Sequence, residues 1–170
     1  MTNAEHIARD LEKIALQERV LRFSAFDESA AWRLGAQMRQ SAQAVNAPIV
    51  IDIRSHKRLL FCSALPSSSP DNWEWVRRKS NVVHRFYKSS YRFGLELRAK
   101  GATLDKDSGL DAMDYAPHGG SFPIYVDGAG FFGSITVSGL PQREDHNVVV
   151  AALCEFLGKD AAELALAPPP

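Results

Sequence analysis

The chain has two cysteines, no net charge and no apolar run approaching the length of a membrane span. Cys62 and Cys154 stand far apart without metal-ligand spacing, so a disulfide framework or a zinc module is excluded and both read as reduced core thiols. Twenty basic and twenty acidic residues cancel. That removes the global field which draws proteins to nucleic acid or anionic membranes, so any anion site must come from local patterning. The longest apolar stretches fall far short of the ~20 residues that cross a bilayer. No apolar core of a signal peptide follows the charged start at Glu5. The expectation is a cytoplasmic protein with no nucleic-acid and no membrane partner. No internal repeat is visible, and no Gly-x-Ser-x-Gly nucleophile elbow occurs.

What is present is enough for one domain: 170 residues, 45% of them hydrophobic. The centre of the pattern is the stretch 130–157. Residues 131–138 are β-branched and aromatic, and Ser138, Gly139, Leu140 and Pro141 stop them as a strand. Proline suits a helix start, and Gln142, Glu144 and Asp145 put polar and acidic groups at the positive end of the helix dipole. Val149, Ala152, Leu153 and Phe156 then recur at helical spacing.

Earlier in the chain, Thr2 and Glu5 have capping-box spacing before a stripe of Ile7, Leu11 and Ile14. A short strand is expected over 20–23, and Asp27 caps a second helix running to about Asn46. Gly35 inside it implies close packing on a neighbour. Residues 49–54 and 59–64 form a hairpin, followed by a helix starting near Ser69 and Pro70. That helix carries Trp73 and Trp75, which point in different directions around it, together with Arg77, Arg78 and Arg85. Residues 89–97 give a short helix, 101–116 a polar loop, and 121–126 a strand. The domain is expected over 1–158, with a mobile Pro/Ala-rich tail over 159–170.

Two places could carry chemistry. His118-Gly119-Gly120 lets backbone N–H groups approach an anion or a carbonyl oxygen closely. Arg143, Asp145 and His146 sit at a helix N-terminus, where a histidine could be oriented by a carboxylate or could meet His118. Arg77, Arg78 and Arg85 are candidates for anion contacts. No metal site is expected, since no third ligand accompanies the histidines. The two tryptophans favour a homo-oligomer, and a non-enzymatic scaffold or interaction module is the competing reading.

Several phrases occur together in one order. They are Val50-Ile-Asp-Ile-Arg54, Pro70-Asp-Asn72 before Trp75-Val-Arg-Arg-Lys79, His118-Gly-Gly120 with Phe122-Pro-Ile124, and Val137-Ser-Gly-Leu-Pro-Gln142 with Asp145-His146. As an ensemble over roughly residues 16–157, the chain resembles the uncharacterised branch of the haem-degrading-domain proteins, relatives of GlcG-like and HbpS-like proteins. One departure is Ser67-Ser-Ser69, where that family more often has a glycine-threonine turn. The resemblance implies an α/β (α+β) domain with a profilin-like antiparallel sheet of about five strands flanked by helices, assembled into oligomers. It also brings haem into view as a ligand, with His84, His118 and His146 as available axial groups. It carries no established activity, so whether the protein is an enzyme stays open.

Overall fold

The computed structural model describes residues 2–105, 107 and 109–168. The elements are α1 (Asn3–Val20), α2 (Glu28–Ala44), β1 (Val50–Ser55), β2 (Arg58–Ala64), α3 (Asp71–Phe86), α4 (Ser90–Ala99), β3 (Ser121–Val126), β4 (Gly130–Ser138), α5 (Gln142–Leu157) and α6 (Ala161–Leu164). The sheet is antiparallel with strand order β2-β1-β4-β3.

Alternation along the strands divides the sheet into two unlike faces. Ile51, Ile53, Ile135, Val137, Phe122 and Ile124 join Leu34 and Met38 of α2 and Val149 and Leu153 of α5 in the main core. The opposite face carries Asp52, Ser134, Thr136 and Ser121, all fully buried under α3 and α4. Polar groups are tolerated there because each has a partner. Asp52 binds Arg54, Ser134 meets His84 Nε2 at 3.1 Å, and the Ser121 and Thr136 hydroxyls lie 2.8 Å apart.

Local signals act as the sequence implies. Thr2 and Glu5 form a reciprocal capping box, and Asp27 caps α2 through the Ala30 N–H at 2.7 Å. The Phe61 ring fills the space where a Gly35 side chain would stand, so that glycine allows α2 to close on β2.

Other parts differ from expectation. Among the described residues the sheet has four strands, not about five. Residues 20–23 do not make a strand, because α1 runs on to Val20 and leaves Phe23 as a single bridge to Val126. The helix after Pro70 begins at Asp71, and Ser69 serves its start: Ser69 Oγ accepts from the Asp71 N–H at 3.2 Å and the Ser69 N–H donates to Asn72 Oδ1 at 2.7 Å. Cys154 is buried as expected, whereas Cys62 is exposed on β2. The segment expected to be a mobile tail packs instead as far as Ala167. Leu164 and Leu166 are buried, the latter against Ile14, Tyr91 and Leu95, and Gln17 donates to the Leu164 carbonyl at 2.7 Å. Two leucines spaced within an Ala/Pro-rich stretch outweigh its overall composition.

Candidate functional site

The helix α5 starts where β4 ends, and its first turn faces the middle of α3 across the loop 117–120. A cleft of about 250 Å³ opens there, lined by residues of α3, of the loop and of the Ser138–Gln142 turn. At its floor Lys79 Nζ donates to Asp145 Oδ2 at 2.7 Å and to the Val137 carbonyl at 3.2 Å. Asp145 Oδ1 accepts from the Leu140 N–H at 3.0 Å, so one carboxylate holds both the amine and the turn. Lys79 is 3% exposed and Asp145 1%. Burial pushes the Asp145 carboxyl up and the Lys79 amine down, each against the pull of its partner.

Two glycines make this proximity feasible. A side chain at Gly119 would run into the Gln142 carbonyl oxygen, and one at Gly120 into that of Val137. Gly120 also has φ +126°, and its missing Cβ would stand 2.8 Å from Lys79 Nζ. The loop thus presses its backbone onto the first turn of α5 and the ion pair.

His118 forms one wall. Its ring meets Trp75 edge to face at 5.2 Å between centroids, and its Nδ1 is buried with no hydrogen-bond partner. Burial lowers its pKa first, and the charges of Lys79, Arg78 and Arg98 lower it further, so it is neutral at pH 7. On its far side lies a second cavity of about 330 Å³, bounded by Leu97, Arg98, Leu104 and Pro117, with His118 and Gln142 common to both.

The structure brings His118, Gly119, Gly120 and Asp145 together and sends their sequence neighbours elsewhere. Arg143 turns away from the cleft to Asp10, the Ala167 carbonyl and the Tyr91 hydroxyl. His146 is fully buried, with Nε2 at 2.8 Å from Gln17 Oε1 and its ring against Tyr91 and Phe122. Burial pushes its pKa down to about 3. It does not pair with Asp145 or line the cleft with His118. Among the described residues no group of three or more His, Cys, Asp or Glu side chains could hold a metal ion.

The three arginines of α3 are drawn onto the polar loop. Arg77 binds Glu74, Asp114 and the Met113 carbonyl, Arg78 the Ala112 carbonyl, and Arg85 the Gly109 carbonyl and Tyr115 hydroxyl. Arg78 also covers the Trp75 ring at 4.3 Å. Lys79, Trp75, Asn72, Gln142 and Arg98 were not singled out as site residues from the sequence. A usable signal existed for Lys79, which stands three after Val76 and four before Val83 on the buried stripe of α3.

Residues 26–154 match the family described as haem degrading protein HbpS-like. The chain belongs to the HbpS-like family. Among its relatives, a UPF0303 protein of Acidobacterium capsulatum is 51% identical over 156 residues, covering 92% of this chain and 94% of that protein. A UPF0303 protein of Rhizobium etli is 52% identical over 162 residues, covering 95% and 98%. Of solved HbpS-like folds, the Ybr137w protein superposes with a TM-score of 0.80 at 29% identity, covering 87% of each chain. PduOC, solved in complex with heme, gives 0.65 at 19% identity over 76% of this chain and 94% of its own. HbpS gives 0.61 at 17% identity over 81% and 93%. At those lower identities the likeness speaks for the fold alone.

Proposed function

We propose that this protein binds a small organic anion in the cleft beside His118-Gly119-Gly120 and the first turn of α5. The observation that carries the reading is the charge around His118. Lys79 shares the lining of the cleft with His118, Arg98 borders the second cavity beside it, Arg78 covers the Trp75 ring that meets it, and Asp145 is paired with Lys79. Arg78 and Arg98 donate to the backbone carbonyls of Ala112 and Gly94 rather than to carboxylates. A protein of zero net charge therefore keeps a local positive excess at this point. The N–H groups of Gln142 and Arg143, which helix geometry leaves without intrahelical acceptors, add to it.

Haem is the ligand that kinship suggests, since PduOC was solved with heme. His118 suits an iron ligand, being neutral at pH 7 with a partnerless Nδ1. The macrocycle fits poorly. Cavities of about 250 and 330 Å³ are divided by His118 and Gln142, at the small end of the ~300–1,000 Å³ range of ligand pockets. The favoured ligand is therefore compact.

Calorimetric titration with short carboxylates and with inorganic phosphate tests the reading, alongside haem titration followed by its Soret band. Carboxylate binding is expected, weakened at least tenfold in Arg98→Ala and altered in His118→Ala. Silence toward every small anion, with a saturable Soret band lost in His118→Ala, would replace this reading by the haem one.

The protein is further read as cytoplasmic and as a homo-oligomer, and its exposed aromatic and apolar side chains support the second of these. Trp32 is 66% exposed, Leu59 52% and Trp73 37%. A scaffold without a ligand is the competing case, and it rests on this same surface.

A further inference from the structure

The two cavities beside His118 differ in chemistry as well as position. The first offers hydrogen-bonding groups, Asn72, Lys79 and Gln142 among them, around the buried ion pair. The second is walled mainly by Leu97, Leu104 and Pro117. This apolar wall is built, not incidental. Gly94 lets α4 close so tightly on the loop that a side chain there would strike the Pro117 carbonyl oxygen. His118 and Gln142 are the residues bordering both cavities, so a molecule reaching from one to the other must be slender and lie against these two side chains.

We infer that the ligand is a bipartite organic monoanion, with its carboxylate among Lys79, His118 and Gln142 and a short apolar body over Leu97, Leu104 and Pro117. This rests on the anion reading above and narrows it, because the second cavity has no role for a bare anion. Arg98 borders the apolar lobe and also acts on the His118 ring, so its charge is shared by both halves. Inorganic anions satisfy one lobe and leave the other wet. Each methylene moved from water onto that wall is expected to tighten binding about fourfold until the lobe is full.

The test is calorimetry on the full chain with acetate, butyrate, hexanoate and inorganic phosphate. Affinity should climb from acetate to hexanoate by more than tenfold, with phosphate no tighter than acetate. Leu97→Trp and, separately, Leu104→Trp should abolish the gain of hexanoate over acetate, both measured on the same variant. Both positions are only half-buried, so a folded variant is expected, and circular dichroism checks it. Equal affinity along the series, or hexanoate binding untouched by both substitutions, overturns the two-lobed ligand and leaves the anion reading standing. Failure of every anion, acetate included, overturns both.

Discussion

Lys79 and Asp145 are almost wholly removed from water, and the pair stands at the floor of the cleft rather than in the apolar core. Replacing both partners of such a pair by apolar groups is often harmless, whereas removing one leaves an uncompensated charge. Lys79→Met or Asp145→Asn alone should cost about 3–5 kcal/mol in urea unfolding, and Lys79→Met with Asp145→Leu should recover much of it. Singles costing under about 1 kcal/mol would show that water reaches the pair. His146 makes a different prediction. Its pKa falls from 6.5 to about 3 on folding, so as pH drops the unfolded chain takes the proton first. Stability from this group is complete above about 6.5 and is lost as pH falls toward 3, at about 1.4 kcal/mol per unit. His84, lowered to about 4 but partly exposed, adds a smaller loss in the upper part of that window. The His146→Gln variant should show a slope shallower by one proton in urea melts between pH 7 and 4.5. The sequence made Asp145 and His118 visible as candidates because acid and histidine at a helix start or a glycine turn carry recognisable chemistry. Lys79 was hidden by its neighbours, since Arg77-Arg78-Lys79 reads as a solvated run and only the register of Val76 and Val83 turns the third cation inward.

Elements were legible wherever a cap, a proline or a strict period marked them. The capping box, Asp27, the 49–64 hairpin and the passage from β4 through Pro141 into α5 stand where the residues put them. What failed was local pattern against tertiary context. Residues 20–23 have strand-like side chains, yet continuing α1 to Val20 uses the helix already nucleated, and Phe23 alone reaches β3. The paired glycines of loop 117–120 signal a close approach, while nothing in the sequence says that the backbone they meet is that of Gln142 and Val137. Gly120→Ala tests that contact. Its φ of +126° and the Val137 carbonyl both oppose a side chain, so a loss of about 1–3 kcal/mol is expected together with loss of anion binding. Gly128→Ala is the control, because at φ +77° with nothing within 4 Å it should cost about 1 kcal/mol and leave binding intact. Equal melting temperatures for the two variants would refute the tight loop.

At the scale of the whole molecule, the fold class was legible and the count of strands was not. The motive for association has also moved. The apolar stripe of α1 is spent internally on Tyr91, Leu95 and Leu166, and Trp75 serves as a cleft wall under Arg78. Exposed Trp32, Leu59 and Trp73 remain, with Trp32 against Phe61 of β2, a strand at one edge of the sheet. Rigid aromatic area at an edge is what an interface core uses. Light scattering at micromolar concentration should give a multiple of 18.8 kDa, reduced to the single mass by Trp32→Glu or Trp73→Glu without unfolding. A monomer across a wide dilution series would refute it. One further consequence comes from where α1 finds its partners. Asp10 meets Arg143, and Gln17 meets His146 and the Leu164 carbonyl, across separations of 133, 129 and 147 residues. On the ribosome, therefore, α1 is made long before the residues that complete its seating. Its apolar stripe can settle on Tyr91 and Leu95 once α4 is made, whereas Leu166 and the partners of Asp10 and Gln17 come only much later, so the growing chain offers chaperones a half-covered apolar surface through the later part of translation.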